Sequence, residues 1–193
     1  MSAASRAVPV TSRTEWERQY RSGRWDYLAE SEEDARYEAI VQRILASGSC
    51  DVLDIGCGSG VLRDRLGDRF TGRFVGVDWS HAALAARTPW PGESLVCGDA
   101  SRLPLRHRFD TVVLSEVLYY LDQPGRAVAR TLDLVAPGGE LLVSLFQPSR
   151  RRHPGWHTLI GEIGAELGDA QRLVTTGGGR SWALHVLTPG GGS

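Results

Sequence analysis

The chain has no lysine and no asparagine among its 193 residues. Every basic residue other than its five histidines is therefore an arginine. Without lysine, Schiff-base chemistry and lysine-based nucleophilic or proton-transfer roles are excluded. The 22 basic residues meet 23 acids, a formal net charge of −1. No global field draws the chain to nucleic acid, so none is expected as a partner. Plentiful Gly, Ala and Arg beside these absences points to a GC-rich bacterial genome rather than a physical need. Cysteine is scarce: Cys50, Cys57 and Cys97 form no C-x-x-C pair, which excludes a disulfide scaffold and suits a reducing cytoplasm. No run approaches the ~18 apolar residues of a membrane span. Residues 1–13 lack the apolar core of a secretion signal and read as a disordered tail. A chain of this length is expected to form one domain with a sizeable core. It shows no internal repeat and no linker, and a monomer is plausible.

What is present centres on Val52-Leu53-Asp54-Ile55-Gly56-Cys57-Gly58-Ser59-Gly60. A short β-branched apolar run reads as a buried parallel strand. Three alternating glycines follow, and Val61, Leu62 and Leu66 restart on a helical spacing. Strand, glycine loop and helix open a nucleotide-binding βαβ unit. A dinucleotide fingerprint starting at Gly56 needs glycine at position 61, where Val61 stands. The acid at Asp54 suits a ligand bearing cationic groups better than a pyrophosphate. Cys57, inside the loop, reads as a small filler.

Upstream, residues 14–28 concentrate Trp16, Tyr20, Trp25 and Tyr27 around an Arg-Ser-Gly-Arg turn. A helix over Glu30–Leu45 follows, with Tyr37, Ile40, Val41, Ile44 and Leu45 on one face. Downstream, Phe74–Val77 reads as the second strand. It ends in Asp78, about 20 residues past the glycine loop, where an acid can accept from both ribose hydroxyls. The alternative is a helix-capping acid ahead of Ser80, which caps a helix over Ala82–Arg87. Trp79 flanks or underlies the base. Ser94–Cys97 and Phe109–Leu114 are the third and fourth strands. The fourth runs into Ser115-Glu116-Val117-Leu118-Tyr119-Tyr120-Leu121. Ligands in open α/β sheets bind outside the carboxyl ends of the strands, which places Ser115, Glu116 and Tyr119 at the site. A helix after Pro124, a Pro137-Gly138-Gly139 turn, a fifth strand Leu141–Phe146, and a helix carrying Trp156 to Leu167 come next. Arg172–Thr176 and Ser181–Leu187 form a closing hairpin.

In this order the glycine loop, Asp78, Asp99, the Ser115–Tyr120 segment and the Pro-Gly-Gly turn resemble the class I S-adenosylmethionine (SAM) methyltransferases. Ser115–Leu121, with Trp25-Asp26-Tyr27 and Arg36-Tyr37, is more narrowly similar to the small bacterial methyltransferases grouped with nodulation protein S. The resemblance implies a Rossmann-like α/β fold: a doubly wound, mostly parallel seven-stranded sheet with a C-terminal antiparallel hairpin and an N-terminal helical lid. It divides the chain into a tail at 1–13, a lid at 14–47, a core at 48–188 and a flexible tail at 189–193. SAM is the implied cofactor, leaving S-adenosylhomocysteine (SAH). Asp54, Gly56, Cys57, Gly58, Asp78, Trp79, Asp99, Ala100 and Ser115 are its implied contacts, with Asp99 and the next amide at the adenine. The alternative for Asp99 is a turn aspartate bonded to its own backbone. Tyr20 and Trp25 are candidates either to roof the pocket or only to pack, and Leu103-Pro104-Leu105 to line its wall.

Catalytic candidates are Glu116, Tyr119 and Tyr120. Glu116 can take a proton from an amine acceptor, with the tyrosines orienting it. It can equally be a cofactor-pocket or helix-start acid. Lack of asparagine excludes the Asn-Pro-Pro-Tyr loop of some amino-methyltransferases. Glu116 also resembles the first residue of the Glu-x-x-Glu-His metal set of plant small-RNA methyltransferases, but Tyr119 and Tyr120 hold the matching positions, so no metal is expected. The expected function is methylation of a small-molecule acceptor, nitrogen ahead of a hydroxyl or carboxylate. The Arg150–Arg152 run reads as a solvated loop and matters chiefly if the acceptor is a carboxylate, and His153 reads as a solvent-facing loop residue or a base. The alternatives are a nicotinamide oxidoreductase and an inactive methyltransferase-fold binding protein.

Overall fold

The computed structural model describes residues 12–103, 105–151, 153–168 and 170–189. In chain order it has α1 (Arg13–Arg21), two 3₁₀ turns (Asp26–Ala29 and Ser31–Glu33), α2 (Asp34–Ser47), β1 (Asp51–Ile55), α3 (Val61–Leu66) and β2 (Arg73–Asp78). Then follow α4 (His81–Ala85), β3 (Glu93–Cys97), β4 (Phe109–Ser115), α5 (Pro124–Leu132), β5 (Val135–Phe146), α6 (Pro154–Glu166), β6 (Gln171–Gly177) and β7 (Arg180–Leu187). The strands form one seven-stranded sheet ordered β3-β2-β1-β4-β5-β7-β6. The first five pair in parallel, and β7 runs antiparallel between β5 and β6. This is the doubly wound, Rossmann-like sheet with its closing antiparallel hairpin. No described helix is long and apolar enough to cross a membrane.

Alternation along the buried strands divides the core into two layers. Leu53, Ile55, Val112, Leu114 and Val143 face the layer closed by Val128 of α5 and Ile160 and Ile163 of α6. Val52, Phe74, Val113 and Leu142 face the other, closed by Tyr37, Ile40, Val41 and Ile44 of α2 and Leu62 of α3. The order reverses between β1 and β4, which leaves a crevice at their carboxyl ends.

Several expected boundaries shift. Position 13 is not tail: Arg13 opens α1, and the Ser12 hydroxyl accepts from Glu15 N at 3.3 Å as its cap. The rest of the expected N-terminal tail, and residues 190–193 of the C-terminal one, lie outside the described residues. The helix expected from Glu30 begins at Asp34, because Glu30 is extended with ψ 164°. The expected lid divides, since α2 packs on the sheet as a core helix and residues 13–33 precede that layer. The fifth strand starts at Val135, ahead of the Pro-Gly-Gly turn. Val135 already pairs with Phe109, and the intervening segment bulges before Glu140 rejoins Thr111. Gly139 is needed there: a Cβ would lie 2.5 Å from the Asp110 carbonyl oxygen.

Candidate active site

A cavity of about 520 Å³ opens at the crevice, a size that suits a small organic ligand. Every residue singled out from the sequence as catalytic or cofactor-binding lines it. The glycine loop forms one end. Gly56 N and Cys57 N donate to Val77 O at 2.7 and 3.0 Å, which ties the loop to the end of β2. Gly56 and Gly58 have φ of 77° and 56°. A Cβ would lie 2.3 Å from Val117 at the first and 2.7 Å from the Tyr20 hydroxyl at the second. Both positions require glycine for conformation and for space. Cys57 is buried against Gly76, and burial pushes its thiol pKa well up, so it is a neutral filler.

Three carboxylates surround this loop. Asp54 is 3% exposed, and among the described residues no hydrogen-bond donor reaches it. Burial, and then repulsion from Asp78, push its pKa from 3.8 to about 7, against the pull of Arg36. Asp78 accepts from Gly58 N and Ser80 N, each at 2.8 Å, so it braces the glycine loop and starts α4 at once. Burial raises its pKa against those bonds. Asp99 Oδ1 accepts from the Ser101 amide at 2.8 Å and hydroxyl at 2.7 Å, the expected turn aspartate. Its Oδ2 takes no part in that turn. Ala100 and a 37%-exposed Trp79 complete this wall.

Glu116 forms the other end, where β4 leaves the sheet. It is the one non-glycine residue among those described with positive φ, at 62°. Such a conformation costs on the order of 1–3 kcal/mol and persists where its surroundings impose it. Here Glu116 N donates to Ser144 O at 3.0 Å, and the carboxylate accepts from Phe146 N and the Ser144 hydroxyl, each at 3.2 Å, and from the Tyr119 hydroxyl. Burial pushes its pKa from 4.5 to about 6, opposed by Arg36 and these donors. Burial and the adjacent carboxylate push Tyr119 well up, so its phenol keeps its proton. Tyr120 packs edge-on against Tyr119, centroids 5.1 Å apart.

Sequence reasoning missed the charged residues that brace this end. Arg36, 3% exposed, donates to the Ser115 hydroxyl at 2.6 Å and pairs with the equally buried Glu33 at 2.9 Å. Glu33 also accepts from Arg180, delivered by the β6–β7 turn. One signal was available: Arg36 lies four residues before Ile40, on the apolar stripe of α2. Nothing local flags Arg180, which pairs 147 residues away. Trp156, read from the sequence as part of a helix's apolar stripe, and Trp182, not singled out there, also line the cavity.

Tyr20 and Trp25 both line the cavity, with centroids 6.3 Å apart. Glu17 holds α1 over the site by accepting from His81 N and Ala82 N at 2.7 and 3.1 Å. Other expectations fall elsewhere. Leu103 and Leu105 pack against the core rather than the cavity wall, and Pro104 lies outside the described residues. Arg150 and Arg151 are exposed and off the lining, Arg152 lies outside the described residues, and His153 sits exposed before α6.

The residues fit a ligand with cationic and hydroxyl-bearing parts. Two backbone cradles admit no Cβ, Asp54 is a buried carboxylate without a donor, and the Trp25 indole N–H is buried without an acceptor. The methyltransferase domain family matches residues 53–143, from β1 through β5. Residues 53–143 of the chain thus carry the core of a methyltransferase domain. Trans-aconitate 2-methyltransferase of Variovorax paradoxus is 30% identical over 155 residues, 76% of this chain and 59% of that protein. A ubiquinone biosynthesis O-methyltransferase of Bradyrhizobium diazoefficiens is 31% identical over 114 residues, 56% of this chain and 45% of that one. The chain thus spans roughly half of those relatives' length. Among solved structures, N-methyltransferase NodS of Bradyrhizobium japonicum, in complex with SAH, superposes with a TM-score of 0.69 at 21% identity, covering 90% of this chain and 96% of that one. Magnesium protoporphyrin IX methyltransferase of Synechocystis, with bound SAM, gives 0.62 at 18%, covering 96% and all of that chain. The expected likeness to nodulation protein S thus holds in the fold, and both of those structures hold SAM or its product SAH.

Proposed function

We propose that this methyltransferase transfers the methyl group of SAM to a nitrogen of a small-molecule acceptor, as a cytoplasmic bacterial enzyme. In this reading Asp54 holds the ammonium, Asp78 the ribose hydroxyls, and Asp99 with the Ala100 amide the adenine. Trp79 flanks the base, Gly56, Cys57 and Gly58 shape the backbone cradle, Ser115 closes its far side, and Tyr20 and Trp25 cover it. Bound SAM supplies a methyl group already activated on a sulfonium sulfur. The chain's own work is alignment and proton handling. Orientation of this kind is worth ~7–11 kcal/mol.

The observation that carries the choice of nitrogen is Glu116. Its buried carboxylate lines the cavity with a pKa of about 6, so at neutral pH it is ionised and poised to take an ammonium proton. Three donors reach it, against about four lone-pair sites on a carboxylate. One site is left for the acceptor. Tyr119 fixes the carboxylate, and Tyr120 orients the incoming amine. A carboxylate acceptor would meet repulsion here.

Glu116→Gln tests the reading. It should leave SAM affinity within about twofold and slow transfer to amines by ~10²–10⁴. In the parent protein the rate should rise as pH passes about 6, as a base that must be deprotonated requires. Loss of SAM binding in the variant would place Glu116 in the cofactor site instead. Oxygen is the second reading, favoured by relatives named for O-methylation. Turnover of hydroxyl or carboxylate acceptors but not amines would establish it. SAM binding with no transfer to any acceptor would support an inactive binding protein.

A further inference from the structure

All five tyrosines and five of the six tryptophans of this chain line the one cavity, while Phe70, Phe74 and Phe109 build the core. Six of these rings form a connected belt. Centroids are 6.1 Å apart from Tyr27 to Trp25, 5.1 Å from Trp25 to Trp16, 5.0 Å from Trp16 to Tyr120, 5.1 Å from Tyr120 to Tyr119 and 5.3 Å from Tyr119 to Trp156. Trp16 and Trp25 stack at 24°, and the last three contacts are edge-on. The belt reaches Glu116 directly through the Tyr119 hydroxyl.

Charge follows the same direction. Glu33, Asp54, Asp78, Asp99 and Glu116 line the cavity, against Arg36 and Arg180. Both arginines pair with Glu33, which offsets one of their two charges, and Arg36 Nη2 makes no hydrogen bond of its own. Carboxylates remain in excess in a chain whose net charge is only −1. A low-dielectric cleft lined by one sign of charge concentrates the opposite sign. Aromatic faces attract cations by about 0.5–2 kcal/mol, and ring-on-ring contact adds about 0.5–1.5 kcal/mol beyond area burial.

We propose that the acceptor is an arylalkylamine-type molecule: a flat aromatic body seated against the Trp25–Trp16–Tyr120–Trp156 belt, carrying an amine that enters as its ammonium and docks on Glu116. This rests on the nitrogen-methylation reading above. The ammonium gives one proton to Glu116. The freed nitrogen lone pair forms the new bond to the methyl carbon, and the electron pair of the broken carbon–sulfur bond stays on sulfur, leaving a neutral thioether. A secondary or tertiary amine product keeps the cationic character that the belt favours.

The test is calorimetry on the full chain saturated with SAH, using three probes: tryptamine, indole-3-propionate with the same ring and opposite charge, and n-butylamine without the ring. Tryptamine should bind at least about tenfold tighter than either, the equivalent of one cation–π or ring contact. Trp156→Ala should weaken tryptamine by at least about fivefold, and the parent comparison stands whether or not that variant folds. Indole-3-propionate binding as tightly as tryptamine overturns the charge selection, and n-butylamine doing so overturns the aromatic body. Either result, with SAH bound, refutes this inference and leaves the cofactor assignment intact. Absence of SAH binding to folded protein overturns both.

Discussion

Replacing Asp54 with asparagine changes one charge at nearly constant shape, at the most electrostatically strained acid beside the glycine loop. Its folded pKa of about 7 lies roughly three units above the ordinary 3.8. At 1.36 kcal/mol per unit, the ionised carboxylate costs the folded protein about 4 kcal/mol, to order of magnitude. The sign follows from linkage. The folded protein binds this proton more tightly than the unfolded chain, so the cost is absent below pH 3.8. It grows as pH rises and is complete above about 7. Urea unfolding of the ligand-free parent and Asp54→Asn at pH 4.5–8 reads this directly. Glu116, Asp78 and His185 titrate in both proteins, so the difference between the two curves reports Asp54 together with its coupling to Asp78. It should move in the variant's favour with rising pH and level off above about 7, whatever constant offset the unpaired amide adds. SAM carries an ammonium, so its affinity for the parent should strengthen toward pH 7, and Asp54→Asn should weaken binding and flatten that dependence. Parallel stability curves, or SAM affinity unchanged in the variant, would refute the assignment of Asp54 as a strained, cation-seeking carboxylate.

Two further substitutions probe the site. Asp78→Ala should weaken SAM by about 10- to 100-fold in calorimetry, from charge-assisted bonds of ~1.5–3 kcal/mol each; unchanged affinity in a folded variant would limit Asp78 to bracing Gly58 and Ser80. Glu33→Gln leaves Arg36 buried without its counter-ion and should cost about 3–5 kcal/mol in urea unfolding. A loss below about 1 kcal/mol would show that Arg36 is neutralised by another group, with Glu116 the nearest candidate.

The glycine-loop end of the cavity was legible because its pattern is written locally. Strand, glycine loop and the acids ending successive strands occupy fixed places in a parallel sheet, so Asp54, Asp78, Asp99 and Ser115 could be placed from spacing and resemblance together. The bracing of Glu116 was not, because it is assembled across the fold. Arg180 reaches Glu33 only when the β6–β7 turn folds back over α2, and Trp156 meets Tyr119 only when α6 packs beside the end of β4. The early start of β5 was hidden for a related reason. Pro137-Gly138-Gly139 has the composition of a turn, yet Val135 already pairs with Phe109, and the glycines form a bulge within the strand. The positive φ of Glu116 has no sequence signal, since glycine or asparagine is the usual occupant of that conformation.

Calorimetric titration of SAM and SAH into the purified chain tests the central claim most directly. The account predicts saturable binding at micromolar or tighter affinity, about −8 kcal/mol or better, with protons released on binding below pH 7 as Asp54 ionises. A folded sample that binds neither compound would contradict it.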